Sequence, residues 1–315
     1  MVEDKTARTG GFGTEPRAPS GATTRVEASA IRSANVYGED RAPVLTVAAG
    51  AQVGQTIPLN GKSLDVGREA DCDIKLVGSG ISRRHFRLER RRDETFSISD
   101  LESTNGIFVN GCQTKRHVLA DGDLISLGPE TVLKFSIENT SDIRNRIRQY
   151  EESIRDALTG LYNRRYFESR FRHELAYALR HDDPLSVILI DADAFKRVND
   201  EHGHPVGDSV IKLLAARLTE QLRTEDVLVR YGGEEFALIV RDQDTAAVNN
   251  TAERVRRFVE SSEFSVAGKR LSITISLGTS TLRPNGPATP EELVAEADRN
   301  LYEAKAQGRN RTVGI

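Results

Sequence analysis

Apolar and polar residues alternate one by one in short runs between positions 43 and 138. The alternating apolar residues are Phe86 and Leu88, Phe96 and Ile98, and Leu133, Phe135 and Ile137. Such alternation is typical of strands with one buried and one solvated face. Turn-forming sequences (NGK, GSG, STNG, VNGC, ADGD and LGP) separate the runs at intervals of about ten residues. Residues 43–138 are therefore predicted to form an all-β sandwich.

The spacing of apolar residues changes to that of a helix in the segment 139–158. The apolar stripe, set among charged neighbours, consists of Ile143, Ile147, Tyr150, Ile154 and Leu158. These intervals predict a helix over 142–158 with Asp142 as its N-cap. The stripe either packs against its own domain or pairs with a second copy, and it is too short to predict a coiled coil alone.

Strand-like and helical segments alternate from residue 159 to residue 315. The predicted strands cover 185–190, 227–231, 235–240 and 271–277. The predicted helices lie near 163–181, 207–222, 245–262 and 290–306. This order of elements predicts an α+β or α/β domain with a hairpin inside it.

Residues 1–42 show no hydrophobic period. They are rich in Gly, Ala, Ser, Thr, Arg and Pro, a composition that buries too little apolar surface to offset the entropy lost on ordering. We expect this segment to be a disordered tail. The chain then divides into the tail 1–42, the sandwich 43–138, the linker helix 139–158 and a second domain 159–315.

The overall composition excludes several classes of partner. The 315 residues include 44 Lys and Arg and 47 Asp and Glu, so the net charge of −3 favours neither nucleic acid nor an anionic membrane. The first residues lack the apolar segment of a secretory signal, and no run is long enough to span a membrane. Two cysteines, Cys72 and Cys112, are too few for a disulfide framework. We expect a soluble cytoplasmic protein with two folded domains.

Carboxylates are concentrated where predicted strands end. Asp191 follows one strand, and the pair Gly232-Gly233 is followed by Glu234 and Glu235. A Gly-Gly pair between strands predicts a two-residue hairpin, which would place Glu234 across the sheet from Asp191 and turn Glu235 to the other face. Two carboxylates suit Mg²⁺ shared with substrate phosphates, and Glu235 could accept a proton. Taken alone, such a turn is more often solvated surface.

Two cations, Lys305 and Arg309, lie four residues apart near the end of the last predicted helix, with Gly308 as a candidate C-cap. Cations at this position either stabilise the negative end of the helix dipole or bind a triphosphate.

Five stretches resemble, in order, the motifs of the GGDEF family, the diguanylate cyclases: DALTGLYNRR, DADAFKRVNDEHGHPVGD, RYGGEEF, SITISLG and ADRNLYEAKAQGRNR. The glutamate at the third position of the signature is a frequent family variant that keeps a carboxylate. The resemblance implies condensation of two GTP into cyclic di-GMP with release of two pyrophosphates. It also implies a fold like the palm of nucleotide cyclases and a homodimer of facing domains, since the product is two-fold symmetric.

The resemblance also implies roles for individual residues. Mg²⁺ (or Mn²⁺) would be held by Asp191, Glu234 and the carbonyl of Ala192, and Asn199 and Asp208 would bind guanine. The Asp208 carboxylate can accept hydrogen bonds from guanine N1–H and the 2-amino group, a pair that adenine lacks. The remaining implied residues are Phe195 in the substrate site, Lys196, Lys305 and Arg309 on the phosphates, Lys196 also as a catalytic residue, and Glu235 as the base for the 3′-hydroxyl.

The sequence Arg223-Thr224-Glu225-Asp226 resembles the RxxD product-inhibition site of the same family, and Arg254 lies where some members supply a second arginine. The resemblance implies that Arg223 and Asp226 bind cyclic di-GMP. An ordinary ion pair between a helix and a strand gives the same short pattern.

Three loops of the predicted sandwich carry arginine, hydroxyl and amide side chains that suit a phosphate. The ordered set GR, SRRH, STNG and NG resembles the FHA domain. The phosphopeptide-binding residues implied by this resemblance are Arg68 and Ser82, with Arg83 and Thr104 assisting, and Asn105 on the peptide backbone. Gly67 and His85 match structural positions of that family. For STNG alone, local turn hydrogen bonds explain the pattern as well.

The tail contains threonines that an FHA domain could capture after phosphorylation, namely Thr6, Thr9, Thr14, Thr23 and Thr24. Tethering gives an effective concentration of about millimolar, so the tail of the same chain or of a dimer mate competes with a separate phosphoprotein. We therefore interpret the chain as a diguanylate cyclase regulated by phosphothreonine binding and by product inhibition. The alternative is a catalytically weak scaffold that senses GTP or cyclic di-GMP.

Overall fold

The computed structural model of the chain describes residues 40–69, 71–78, 80–284 and 286–314. All but the last residues of the predicted tail, including its threonines, lie outside these described residues.

Two β-sheets stacked on each other form the first folded region, which confirms the predicted sandwich. Its strands are β1 (Arg41–Ala49), β2 (Thr56–Pro58), β3 (Ser63–Gly67), β4 (Ile74–Lys75), β5 (Phe86–Arg90), β6 (Phe96–Asp100), β7 (Ile107–Val109), β8 (Cys112–Thr114), β9 (Arg116–Val118), β10 (Leu124–Leu127) and β11 (Thr131–Asn139). One sheet has the order β2-β1-β11-β10-β7-β8 and the other β4-β3-β5-β6-β9. The alternating residues Phe86, Phe96 and Phe135 are at most 1% exposed in the core between the sheets, as the period of two requires.

The linker helix α1 (Thr140–Ile154) is shorter than the predicted helix and begins earlier. Asn139 occupies the N-cap position without a side-chain hydrogen bond, so the expectation that Asp142 is the N-cap is wrong. The helix ends before Leu158 because Arg155 turns to an extended conformation and bridges to Tyr162.

The apolar stripe of α1 is covered by the chain itself. Ile143 is fully buried and packs with Ala42 and Val44 of β1. Further along the helix, Tyr150 and Ile154 join the core of the second domain. The stripe was predicted either to pack within its own chain or to pair with a second copy. In this structure it packs within its own chain.

The second domain is a six-stranded mixed sheet flanked by helices. After α1, its elements are β12 (Tyr162–Asn163), α2 (Arg164–His181), β13 (Leu185–Ala192), α3 (Phe195–His202), α4 (His204–Glu220), β14 (Val227–Arg230), β15 (Glu235–Arg241), α5 (Thr245–Ser261), β16 (Phe264–Val266), β17 (Lys269–Leu271), β18 (Ile275–Thr281), α6 (Pro290–Ala306) and β19 (Thr312–Val313). The main sheet has the order β12-β14-β15-β13-β18-β19. The predicted α+β class with an internal hairpin is confirmed.

Two departures from the predicted elements have local causes. Helix α3 was missed because Phe195 and Val198 are its only large apolar residues among polar neighbours. The predicted strand 271–277 is divided between β17 and β18, which belong to different sheets.

The sheet separates two hydrophobic cores. Alternate residues of β13 point to opposite faces, so Ile188 and Ile190 join one core while Val187 and Leu189 join the other. Helices α4 and α5 cover the first face, and α2 and α6 cover the second. This division decides which charged residues meet at the end of β13.

Helix α2 also lies against the sandwich. The hydroxyl of Ser169 donates to the carbonyl of Ala51 at 3.3 Å. Farther along the helix, Arg170 Nη2 lies 2.6 Å from Glu174 Oε1, and Arg241 Nη1 lies 3.7 Å from Glu174 Oε2. Burial acts to raise the pKa of Glu174, but the two guanidinium groups hold it below its usual range. Losing one partner of such a buried pair is strongly destabilising, so the network fixes α2 against β15 of its own domain.

Lys75 of β4 faces this network across the domain interface. Burial, reinforced by the charges of Arg241 and Arg170 and opposed by Glu174 and Glu225, lowers the pKa of Lys75 to about 8. The folded chain therefore binds this proton more weakly than the unfolded chain does. As a result, the stability contributed by this site rises with pH between about 8 and about 10.5, the usual lysine value.

We expect Lys75→Met to raise the free energy of unfolding near neutral pH, because the variant removes a desolvated ammonium group. The difference from the wild type should shrink as the pH approaches about 10. Urea unfolding followed by circular dichroism at several pH values measures this, with Lys62→Met at an exposed position as the control. A stability difference that is independent of pH would contradict the assignment.

Candidate active site

The carboxyl end of β13 brings the predicted acidic residues together. Strand β13 pairs antiparallel with β15, and the register places Asp191 opposite Glu235. The amide of Ala192 donates to the carbonyl of Glu234 at 3.3 Å. Asp191 is buried, at 7% exposure, whereas Glu235 is exposed. Cross-strand partners share a face of the sheet, so these two carboxylates lie on the face covered by α2 and α6.

The prediction that Glu234 lies across the sheet from Asp191, with Glu235 on the other face, is wrong. A two-residue turn at Gly232-Gly233 would have placed Glu234 opposite Asp191. Instead, Tyr231 N donates to the carbonyl of Glu235 at 2.8 Å, so the turn includes Glu234 as a third residue. A shift of one residue moves each side chain to the other face, and Glu235 takes the cross-strand position.

The turn at Gly232-Gly233, called the signature turn below, is held in place by an ion pair between Arg230 and Asp156. Arg230 donates to the carbonyls of Gly232 and Gly233 at 3.2 Å and 2.8 Å. Its Nη1 donates to both carboxylate oxygens of Asp156 at 3.1 Å. Burial acts to raise the pKa of Asp156, but hydrogen bonds from Thr159 and Arg230 hold it below its usual range. Asp156 therefore remains charged and fixes Arg230 under the turn.

Lys305, in the last turn of α6, reaches the same carboxylate site. Its Nζ lies 2.8 Å from Asp191 Oδ2. Burial raises the pKa of Asp191, Lys305 opposes that shift, and the nearby Glu235 and Asp193 reinforce it. The helix has its C-cap at Gln307, one residue before the expected Gly308, which follows at φ 117°. An excess of negative charge around Asp191 favours a cation here.

Asp193 has a positioning role that sequence reasoning missed. Its carboxylate accepts hydrogen bonds from the hydroxyls of Thr274 and Ser276 at 2.7 Å and 2.6 Å. It also accepts one from the backbone amide of Asn310 at 3.0 Å. Asp193 thereby fixes the loop on which the exposed Arg309 adopts φ 64°. The sequence signal for this role was the pattern Asp191-Ala192-Asp193, in which two aspartates flank one residue directly after the predicted strand.

Helices α3 and α4 form the second part of the site. Asn199 lies on α3, and its side-chain oxygen fills the space that a β-carbon at Gly207 would need. Asp208 follows on the exposed side of α4, and Lys196 is exposed in the first turn of α3. Phe195, predicted in the substrate site, is buried in the core at 8% exposure. Gly207 thus brings Asn199 close to Asp208.

The residues around Asp191 fit a divalent ion that is shared with a substrate. Among the described residues, no group of three or more His, Cys, Asp or Glu side chains is arranged to hold a metal. The predicted ligands, which are the carboxylates of Asp191 and Glu234 and the carbonyl of Ala192, are hard oxygen donors. Mg²⁺ accepts such donors when phosphates and water complete its octahedron. The site therefore fits Mg²⁺ bound together with phosphates better than a metal held by protein alone.

Of the predicted product-inhibition residues, Asp226 lines a narrow cleft between the domains. The carboxylate of Asp226 accepts a hydrogen bond from the amide of Arg223 at 3.0 Å, and its other oxygen is buried without a partner among the described residues. Burial raises the pKa of Asp226. Lys75 of the sandwich lines the same cleft, which has a volume of about 40 Å³ and holds only a few water molecules. Arg254 donates instead to the carbonyl of Gln221 at 2.7 Å.

The phosphopeptide-binding residues predicted in the sandwich surround one cleft. The amide of Thr104 donates to the hydroxyl of Ser82 at 3.0 Å, and Asn105 Nδ2 donates to the carbonyl of Gly80 at 2.8 Å. The same cleft is lined by Arg68 and Arg83.

Two further residues of that motif set have structural positions. Buried His85 accepts a hydrogen bond from the amide of Ser82 at 3.0 Å, and its Nε2 lies 3.1 Å from the carbonyl of Gly106. A β-carbon at Gly67 would overlap the carbonyl of Arg83. Both residues hold the SRRH loop beside Arg68.

Family comparisons decide the assignment of the second domain. The family model described as diguanylate cyclase, GGDEF domain, matches residues 153–311. The chain belongs to the GGDEF family. An FHA domain model matches residues 64–128. The order of the two predicted domains is therefore confirmed.

Individual relatives agree with this assignment. The response regulator PleD of Caulobacter vibrioides is 43% identical over 178 residues, which are 56% of this chain and 39% of PleD. Diguanylate cyclase DosC of Escherichia coli is 38% identical over 157 residues, which are 50% of this chain and 34% of DosC. The GGDEF chain therefore spans well under half of these relatives.

A solved structure shows the same fold. The coiled coil and GGDEF domain of DgcB from Caulobacter crescentus, solved in complex with c-di-GMP, superposes with a TM-score of 0.52 and 28% identity. The match covers 56% of this chain and 93% of that one. Within the described part of this GGDEF chain, the helices are all too short or too polar to cross a membrane.

We expect Gly207→Ala to weaken binding of a non-hydrolysable GTP analogue by about tenfold, because the new methyl group displaces the Asn199 amide. Stability should not fall, since alanine is favoured over glycine in a helix by about 1 kcal/mol and the Asn199 side chain can move. Calorimetric titration and thermal melting measure the two effects, with Ser209→Ala on the same helix as the control. Unchanged affinity would show that Asn199 does not contact the nucleotide.

Proposed function

We propose that this protein is a diguanylate cyclase that condenses two GTP into cyclic di-GMP and two pyrophosphates. The observation that carries the proposal is the meeting of Asp191, Glu235 and Lys305 at the end of β13, beside the braced signature turn. All positions matched to the family's metal, guanine and phosphate residues keep their chemistry in this chain. That retention favours turnover over nucleotide sensing without turnover.

The catalytic site binds the triphosphate through opposite charges gathered at the carboxyl end of β13. Asp191, Glu234 and the carbonyl of Ala192 would hold Mg²⁺, which supplies charge neutralisation for phosphoryl transfer when bound. Lys305 lies within ion-pair distance of Asp191, and its ammonium group can contact the phosphates of the bound nucleotide. The exposed Glu235, opposite Asp191 in the strand pairing, is the residue that can take the proton of the 3′-hydroxyl.

The guanine specificity follows from α3 and α4. The Asp208 carboxylate accepts from N1–H and the 2-amino group, and Asn199 adds an amide beside it. An adenine base in this position would leave the carboxylate unpaired, which disfavours ATP strongly. Since each domain binds one GTP, two chains face each other during the reaction, and each presents its 3′-oxygen to the other's α-phosphate.

Regulation is proposed at two further sites. The FHA sandwich binds a phosphothreonine through Arg68, Ser82 and Thr104, and a phosphorylated threonine of the tail or of another protein is the ligand. Product inhibition operates through Arg223 and Asp226. Because the cleft at Asp226 has room for only a few water molecules, binding of cyclic di-GMP there requires the sandwich to move away.

We expect the wild type to form cyclic di-GMP and pyrophosphate from GTP and Mg²⁺, and Glu234→Ala to lower kcat at least about a hundredfold, a loss usual for removed electrostatic stabilisation. Chromatography of the nucleotide products measures both. The exposed Glu263→Ala serves as a control for the loss of one negative charge and should retain full activity. Equal rates for Glu234→Ala and the wild type would refute the assignment of the site.

Addition of cyclic di-GMP should slow the wild type, and Arg223→Ala should raise the inhibitory concentration by about tenfold or more, because a charge-assisted contact to the product is lost. Initial rates at increasing product concentration test this. Arg217→Ala, which removes a helix-surface partner of Glu220, is the matched control. Identical inhibition of Arg223→Ala and the control would exclude this site.

A further inference from the structure

An open cleft of about 820 Å³ lies between the sandwich and the C-terminal turn of α2. One wall carries Arg68, Ser82 and Thr104 of the FHA sandwich. The opposite wall carries Arg180 and His181 of the GGDEF domain. A ligand bound to the FHA residues therefore also faces the second domain.

Tyr177 joins the two walls. Arg68 Nη2 donates to the Tyr177 hydroxyl at 2.6 Å, and the guanidinium carbon lies 3.8 Å from the ring centroid. The same ring stacks on His181, with centroids 3.9 Å apart and an interplanar angle of 17°. Arg68 Nε is buried without an acceptor among the described residues. The phosphate-binding arginine is thus held in part by α2 and keeps unused hydrogen-bonding capacity.

The charges lining the cleft favour an anionic ligand. The sandwich supplies Arg68, Arg83 and Arg84, and α2 adds Arg180, while the acidic residues of the lining are Glu69 and Glu102. The C-terminus of a helix repels anions, but basic residues in the last turn of α2 offset that dipole. Because guanidinium groups make paired, charge-assisted bonds to phosphate and carboxylate, both walls can contact one acidic phosphopeptide.

We infer that the phosphothreonine site is shared between the two domains, with Arg180 and His181 of α2 contributing directly to ligand binding. The inference rests on the proposed phosphothreonine recognition by the sandwich. The ligand class is a phosphothreonine peptide with a carboxylate next to the phosphorylated residue. A ligand of this kind bridges the domains and fixes the angle between them.

The test uses the full-length protein and fluorescent phosphothreonine peptides. The probes are peptides from residues 1–30, each phosphorylated at one threonine, and a degenerate phosphothreonine library; the tightest binder is carried forward. Arg68→Ala, Arg180→Ala and the double change Arg180→Ala/His181→Ala are compared by fluorescence anisotropy. The control is Arg172→Ala, which removes an exposed arginine from α2 that lines a different groove.

Arg180→Ala should raise Kd about tenfold and the double change further, as expected for lost hydrogen bonds to a charged group, whereas Arg172→Ala should bind as the wild type does. Arg180→Lys should give an intermediate value. If Arg68→Ala abolishes binding but Arg180→Ala and the double change match the control, the shared site is overturned and recognition by the sandwich stands. If the wild type binds none of the phosphopeptides, the proposed recognition fails as well.

Discussion

The antiparallel pairing of β13 with β15 is the constraint from which the candidate active site follows. Its register sets Asp191 opposite Glu235 on the face covered by α2 and α6. Because side chains alternate with a period of two, a shift by one residue would exchange the acidic site for a core position. The apolar neighbours of both strands resist such a shift, so hydrophobic burial over the whole strand fixes the position of two charged groups at its end.

Two carboxylates outside the site keep its loops rigid. Asp156 fixes Arg230, which binds the carbonyls of the signature turn, and Asp193 anchors the loop that carries Arg309. Electrostatic catalysis depends on donors and charges that are already in place before reaction, and these two residues would supply that preorganisation for the proposed reaction.

The sequence was sufficient for the order of the two domains, and insufficient for the relative placement of the candidate site residues. Hydrophobic periods located the sandwich and the helices α2, α5 and α6 because long amphipathic patterns are specific. They missed α3, which is short and polar. The turn at Gly232-Gly233 was assigned one residue too few, since a local pattern does not show which carbonyl Tyr231 binds. Contacts between the domains, such as Arg68 on Tyr177, depend on tertiary packing.

Helix α2 connects the two functional regions physically. Near its start, the ring of Phe167 packs edge-on against the ring of Tyr231, with centroids 5.3 Å apart. The Arg164 guanidinium carbon lies 4.6 Å from the centroid of the Tyr231 ring, and Tyr231 directly precedes the signature glycines. Near its end, the hydroxyl of Tyr177 accepts a hydrogen bond from Arg68 of the cleft between the domains. Between these two ends, the hydroxyl of Ser169 donates to the carbonyl of Ala51 and joins α2 to the sandwich. A ligand that displaced Tyr177 would therefore act on the helix whose other end contacts Tyr231, the residue before Gly232-Gly233.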